Sequence, residues 1–202
     1  MSLKPFNISA SILAGGQSSR MGFNKAFIKA GGETIISRAV RVLKEGFGKV
    51  DIIANDISLY KGLGVPVYPD IIKGAGSLGG IYTALFHSTA DAVFVAACDM
   101  PYLDLATVIR VAGSLEGYDS AVPFIKGRLH PLHAVYLKRC AGTIEGMIKA
   151  GDLRITGLFD RIKAKRLTEE DLRGLPFELS VENVNTKEDL ERVIDEPGGK
   201  GV

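Results

Sequence analysis

Two cations five positions apart, Arg20 and Lys25, stand in a glycine-rich stretch, LAGGQSSRMGFNK, at residues 13–25. Backbone amides in such a turn can converge on an anion, and glycine leaves room for a ligand beside the backbone. Arginine can fork two phosphate oxygens, whereas lysine acts as a mobile point charge. The chemistry this combination suits is the holding of a triphosphate. The plainer reading is a glycine turn with two surface cations. The stretch is not a P-loop, because Gly22 is followed by Phe23, Asn24, Lys25 and Ala26. A G-x-G-x-x-G string occurs at residues 74–79, but it follows DIIK rather than a buried strand, and it is read as a coincidence.

A second candidate is Asp99, which follows the apolar run AVFVAAC. A carboxylate at the end of a strand, facing a phosphate loop, suits Mg²⁺, which takes one or two carboxylates along with phosphate oxygens and water. An aspartate in that position can equally cap the turn that follows. Asp70 carries the same pair of readings: contact with nucleotide or metal, or ordering of the 74–80 loop. His130 and His133 with Cys140 make a thin zinc set, and the pair is read as strand residues beside a cleft, His130 nearer a ligand. His87 is expected to be solvated. Cys98 is expected to be a small buried residue, since no histidine partner is evident. The basic run at 161–166 is expected to be exposed charge.

These residues need elements to position them. ISASILA at 8–14 reads as a buried strand ending in glycines, KVDIIAN at 49–55 as the next, and VPVYPD at 65–70 as a short extended piece. DAVFVAACDMP at 91–101 is the clearest buried strand, and DSAVPF and PLHAVYL follow as two more. Helices are predicted from Ile35 to about Glu45 behind a Thr34 cap, over 77–88, after a cap at Asp104, and over 138–150. Residues 155–182 show little periodicity beyond a capping box from Thr168 to Asp171, and a second box runs from Thr186 to Asp189. Strands alternating with helices predict an α/β fold: a three-layer, Rossmann-like αβα sandwich with a mostly parallel sheet. Ligands in such sheets bind beyond the carboxyl ends of the strands, where Gly15, Asn55, Asp70 and Asp99 all fall. One domain is expected over 1–196, with a disordered tail at 197–202.

Composition narrows the function further. A formal charge of +2 gives no reason to expect a nucleic-acid or membrane partner. No run of eighteen apolar residues occurs, no signal peptide is read, and two cysteines suggest no disulfide framework, so a cytoplasmic location is expected.

LAGGQSSRMGFNK, PDIIKGAGSLGGI, CDMP, HPLHAVY and VENVNTKEDL appear in that order. Together they resemble the molybdenum cofactor guanylyltransferase family over about residues 8–194, within the wider nucleotidyltransferases. The resemblance implies an enzyme that joins GMP from GTP to the terminal phosphate of molybdopterin, with Mg²⁺, and releases pyrophosphate. It implies that Leu13, Ala14, Gly15 and Gly16 lie on the nucleotide side and that Arg20 and Lys25 meet the phosphates. Asn55 and Asp70 would contact nucleotide, and Asp99 would bind the metal. Gly79, Gly80, Asn183 and Asn185 would lie toward the acceptor. Ser77 and Glu182 depart from the family pattern, which often has Pro and an aromatic there. A molybdenum-inserting partner protein is a further expectation. Two alternatives stay open: a sibling using CTP or another NTP with molybdopterin or another small phosphorylated acceptor, and a non-catalytic nucleotide or cofactor carrier.

Overall fold

The structure is a computed structural model that describes residues 6–15, 24–30, 32–184 and 189. In chain order its elements are β1 (Ile8–Leu13), β2 (Lys29–Ala30), β3 (Glu33–Thr34), α1 (Ile35–Gly46), β4 (Val50–Ile53) and β5 (Val67–Tyr68). Next come α2 (Gly76–His87), β6 (Ala92–Ala97), α3 (Leu105–Ala112), β7 (Ser120–Ile125) and β8 (Arg128–Leu129). β9 (His133–Leu137), α4 (Cys140–Lys149), β10 (Ala164–Leu167) and α5 (Phe177–Ser180) follow, and 3-10 turns span Ile57–Leu63 and Ile155–Asp160.

The main sheet runs β10-β7-β9-β6-β1-β4-β5, with β8 paired to β7. β1 pairs in parallel with β4 and β6, β4 with β5, and β10 with β7. β9 runs antiparallel between β6 and β7, so the sheet is mixed with a parallel heart. Side chains alternate across a strand, which sorts the core into two layers. Ala10 and Ile12 of β1 and Phe94 and Ala96 of β6 face the layer that holds α1 and α3. Leu13, Val93 and Val95 face the opposite layer, with Leu78, Ile81 and Leu85 of α2 and Ile144 and Met147 of α4. Both faces of β6 are therefore covered, which is why its sequence is uninterruptedly apolar.

The caps hold as expected from the sequence. The Thr34 hydroxyl accepts from the Ser37 amide at 3.2 Å, and the Asp104 carboxylate accepts from the Thr107 amide at 2.7 Å. Gly46 lets α1 meet α3 closely, since a Cβ there would lie 2.8 Å from Leu105 Cδ1. The Thr168–Asp171 contact forms, with the Thr168 amide donating to the Asp171 carboxylate at 2.8 Å, but a run of turns follows it rather than a helix. The second expected box and the tail at 197–202 lie outside the described residues. Among those described, no helix is long and apolar enough to cross a membrane.

Candidate active site

The carboxyl ends of β1, β4 and β6 open into one cleft, lined by Leu13, Gly15, Lys25, Asp70, Asp99 and Asn183, among others. Residues far apart in sequence meet there because parallel strands end at the same edge of the sheet. β1 delivers Leu13 and Gly15, and β6 delivers Cys98 and Asp99, one and two steps beyond its last paired residue, Ala97. The Cys98 amide donates to the Leu13 carbonyl at 3.1 Å, so the two strand ends stay in register past the sheet.

Lys25 and Asp99 are joined through a third segment. The Lys25 ammonium donates to the Val184 carbonyl at 2.8 Å, and the Val184 amide donates to the Asp99 carbonyl at 3.0 Å. The segment holding Asn183 is thereby stitched to both the cation and the carboxylate. Burial raises the Asp99 carboxyl above its ordinary range, while its own backbone amide and the charge of Lys25 pull it part-way back. Asp99 does not cap the next helix; Asp104 does that.

Asp70 is held by Asn55. The Asn55 amide group donates to Asp70 Oδ2 at 2.8 Å, and the Asp70 backbone amide donates to Asn55 Oδ1 at 3.1 Å. Asn55 thus bears on the cleft through Asp70 and does not line it. Ala14 does not line it either. Its carbonyl accepts from the Tyr60 hydroxyl at 3.3 Å, and that hydroxyl accepts from the Asn24 amide group at 3.0 Å. Buried Tyr60, from the Ile57–Leu63 turn, therefore ties together the two described ends of the phosphate-loop candidate. Nothing in the pattern of residues 57–63 marks that role; it exists only once the chain has folded.

The glycines of the 74–80 stretch serve different ends. Gly74 and Gly76 have φ of 79° and 57°, a backbone that favours glycine, and they lead the chain into α2. Gly76 and Ser77, at the amino end of α2, line the cleft, so amide groups and the positive end of a helix dipole face it. The sequence signal is a glycine run entering a helix; the fingerprint match is rightly set aside, but Gly76 and Ser77 are not singled out by it as cleft residues. Gly80, expected toward the acceptor, lies against Leu13, where a Cβ would be 3.0 Å from Leu13 Cδ1. Gly79 lies behind, where a Cβ would be 2.8 Å from Ala75 Cβ and 3.1 Å from the Ile72 carbonyl oxygen, so it serves packing. Gly16, Arg20 and Asn185 lie outside the described residues.

A second cavity of about 640 Å³ adjoins the cleft, and Ser77, Leu132 and Asn183 line both. Its walls are the β7–β8 hairpin with the His130–Leu132 turn on one side and Glu178 to Asn183 on the other. Lys126, Arg128 and half-buried His130 bring basic groups to it, Glu178, Glu182 and Asp189 bring carboxylates, with Lys126 paired to Glu178 at 2.6 Å, and Ile125, Leu129 and Leu179 bring apolar groups. Burial, and then the charge of Arg128, lower the His130 pKa, so its ring is neutral near pH 7. Burial pushes the Cys98 thiol up to about 12, so it is not a nucleophile here. His87, expected to be solvated, is half-buried, its ring stacked on Tyr68 at 4.1 Å between centroids. The basic run at 161–166 lies on the surface, Arg161 pairing with Asp152 at 3.0 Å.

Comparison with known proteins agrees with this geometry. Residues 10–166 match the model of the MobA-like NTP transferase domain. A curated relative from Pelotomaculum thermopropionicum, described as a probable molybdenum cofactor guanylyltransferase, is 39% identical over 89% of this chain and 88% of its own. The molybdenum cofactor guanylyltransferase of Desulfosudis oleivorans is 35% identical over 92% of this chain and 93% of its own. Among solved structures, molybdopterin-guanine dinucleotide biosynthesis protein A of Archaeoglobus fulgidus superposes with a TM-score of 0.78 at 26% identity, covering 92% of this chain and 96% of that one.

Proposed function

Since this chain belongs to the molybdenum cofactor guanylyltransferase family of MobA-like NTP transferases, we propose that it transfers GMP from GTP to the terminal phosphate of molybdopterin and releases pyrophosphate. The observation that carries the reading is the joining of Lys25, Asp99 and the Asn183–Val184 segment at the seam between two adjoining cavities. A group transfer between two anions needs two neighbouring sites with cationic and amide groups between them. The nucleotide occupies the cleft and the acceptor the larger cavity.

The acceptor phosphate needs little activation. A phosphate monoester has its second pKa near 6, so it is largely a dianion at neutral pH and can attack without a strong general base. Its oxygen forms a bond to the α-phosphorus of GTP as the bond to the pyrophosphate oxygen breaks. The task left to the protein is alignment and charge neutralisation. Lys25 and the amino end of α2 draw the triphosphate into the cleft. Asn183, lining both cavities, stands where the acceptor phosphate enters.

The donor set also fits Mg²⁺. Asp99, with Asp70 in the same cleft, offers hard oxygens, and magnesium completes its shell from phosphate oxygens and water. When bound, the ion would offset the charge that gathers on the phosphates as the bond breaks. Asp99 would hold it, with the Asp99 backbone fixed by Val184. Arg20 is proposed to meet the phosphates beside Lys25, and Asn185 to act with Asn183. The enzyme is proposed to work in the cytoplasm.

Pyrophosphate release measured over four NTPs, with and without molybdopterin, tests the assignment. Release is expected with GTP and only when molybdopterin is present. Release with CTP in place of GTP would favour the sibling transferase, and binding without release from any NTP would favour a carrier.

A further inference from the structure

His133 is wholly buried, at 0% exposure, on a strand whose neighbours are apolar. It pairs in register with Ala96, three residues before Asp99. Its Nε2 lies 2.9 Å from the hydroxyl of Ser180, and the edge of the ring meets Phe94 at 5.2 Å between centroids. Ser180 Oγ also accepts from the Asp104 amide at 3.0 Å. The other ring nitrogen, Nδ1, is buried with no hydrogen-bond partner among the described residues. In either tautomer, therefore, one nitrogen serves Ser180 and the other loses its contact with water. An apolar ring would fill the same space beside Phe94 without that loss, since a buried polar atom without a partner costs stability.

The position of the bond gives the histidine its use. The His133 backbone amide donates to the His130 carbonyl at 3.0 Å, which fixes the turn on one wall of the larger cavity. Ser180 ends α5 on the opposite wall, three residues before Asn183. His133 thus ties both walls, its main chain to one and its ring to the other, in addition to the exposed Lys126–Glu178 ion pair that joins the hairpin to α5 at 2.6 Å. Resting on the reading of this cavity as the acceptor site, we propose that His133 is a positioning residue which, through Ser180, fixes the spacing of the two walls and the placement of Asn183 for the acceptor phosphate.

The test is a double-mutant cycle on the full-length enzyme, with GTP and molybdopterin as substrates. His133→Phe and Ser180→Ala are each expected to raise the molybdopterin KM about five- to tenfold, the scale of one lost hydrogen bond. The GTP KM should stay within about twofold, and the double variant should be no worse than the more impaired single one. His133→Gln, whose amide can reach Ser180, should recover part of the loss. A merely structural role would lower thermal stability and leave the molybdopterin KM unmoved, and that result overturns the inference. Should His133→Phe fail to fold, His133→Leu takes its place in the cycle, because Ser180→Ala by itself also removes the acceptor of the Asp104 amide. Leu129→Trp, which fills the larger cavity, separates the inference from its premise. If it leaves turnover intact, the cavity is not the acceptor site and both fall. If it abolishes turnover while GTP still binds, and the His133 and Ser180 variants keep the parental KM, only the inference falls.

Discussion

At the scale of single residues, one cation and one carboxylate, Lys25 and Asp99, are held by a common segment. Lys25→Ala should lower kcat/KM for GTP by about ten- to a hundredfold, the effect of removing a charged donor that contributes about 1.5–3 kcal/mol. Steady-state pyrophosphate release checks this, and an unchanged kcat/KM would remove Lys25 from the phosphate site. Asp99→Asn should keep most of the GTP affinity and lose at least about a hundredfold in kcat, since the amide ligates a hard cation poorly. Because burial raises the Asp99 carboxyl, its protonation adds an acid limb to the rate. At low Mg²⁺, turnover should fall with falling pH at a midpoint above the ordinary carboxylate range, and rising Mg²⁺ should move that midpoint down. A pH profile that ignores the Mg²⁺ concentration would contradict the metal role.

At the scale of elements, two supports carry the cleft. Tyr60→Phe removes the hydroxyl between Asn24 and the Ala14 carbonyl, each a hydrogen bond of about 1 kcal/mol, and should raise the GTP KM about three- to tenfold with little change in kcat. An unchanged KM would show that the loop ends need no such tie. Gly79→Ala presses a methyl group onto Ala75 and the Ile72 carbonyl and should cost about 1–3 kcal/mol, seen as a lowered Tm. The sequence made some of these elements legible and hid others for definite reasons. β6 could be read because both its faces are covered, and α1 because a threonine cap precedes a clean apolar stripe. β10, AKRL, could not: it is an edge strand carrying two cations, and only its pairing with β7 makes it a strand. The Asn55–Asp70 pair spans fifteen positions and shows no pattern in the sequence; both residues are expected at the strand ends beside nucleotide, and their mutual hydrogen bonds emerge only in the fold.

At the scale of the whole molecule, two buried titratable groups set opposing pH dependences. Burial pushes Asp51 up to about 6 from 3.8, the Ser11 hydroxyl holding it back only in part. Between those values the folded chain keeps a proton that the unfolded chain has lost, so stability falls as pH rises. Burial pushes His133 down from 6.5 to about 4, so over that span the unfolded chain holds the extra proton and stability rises with pH. Asp51→Asn leaves the second contribution without its counterweight, and its Tm should climb more steeply than the parent's between about pH 4 and 6. Parallel curves of Tm against pH would contradict it. The meeting of the amino-terminal loop with CDMP was legible, because motifs at the carboxyl ends of parallel strands share one edge. The seam with the larger cavity was not, since Ser180, His133 and Leu132 come together only through a mixed sheet and a four-residue helix. A crystal structure with GTP and Mg²⁺ would show where the triphosphate sits. The triphosphate should lie between Lys25 and Asp99, with its α-phosphorus turned toward Asn183 and the larger cavity. A triphosphate seated away from Lys25 and Asp99, or with its α-phosphorus facing away from that cavity, would contradict this placement.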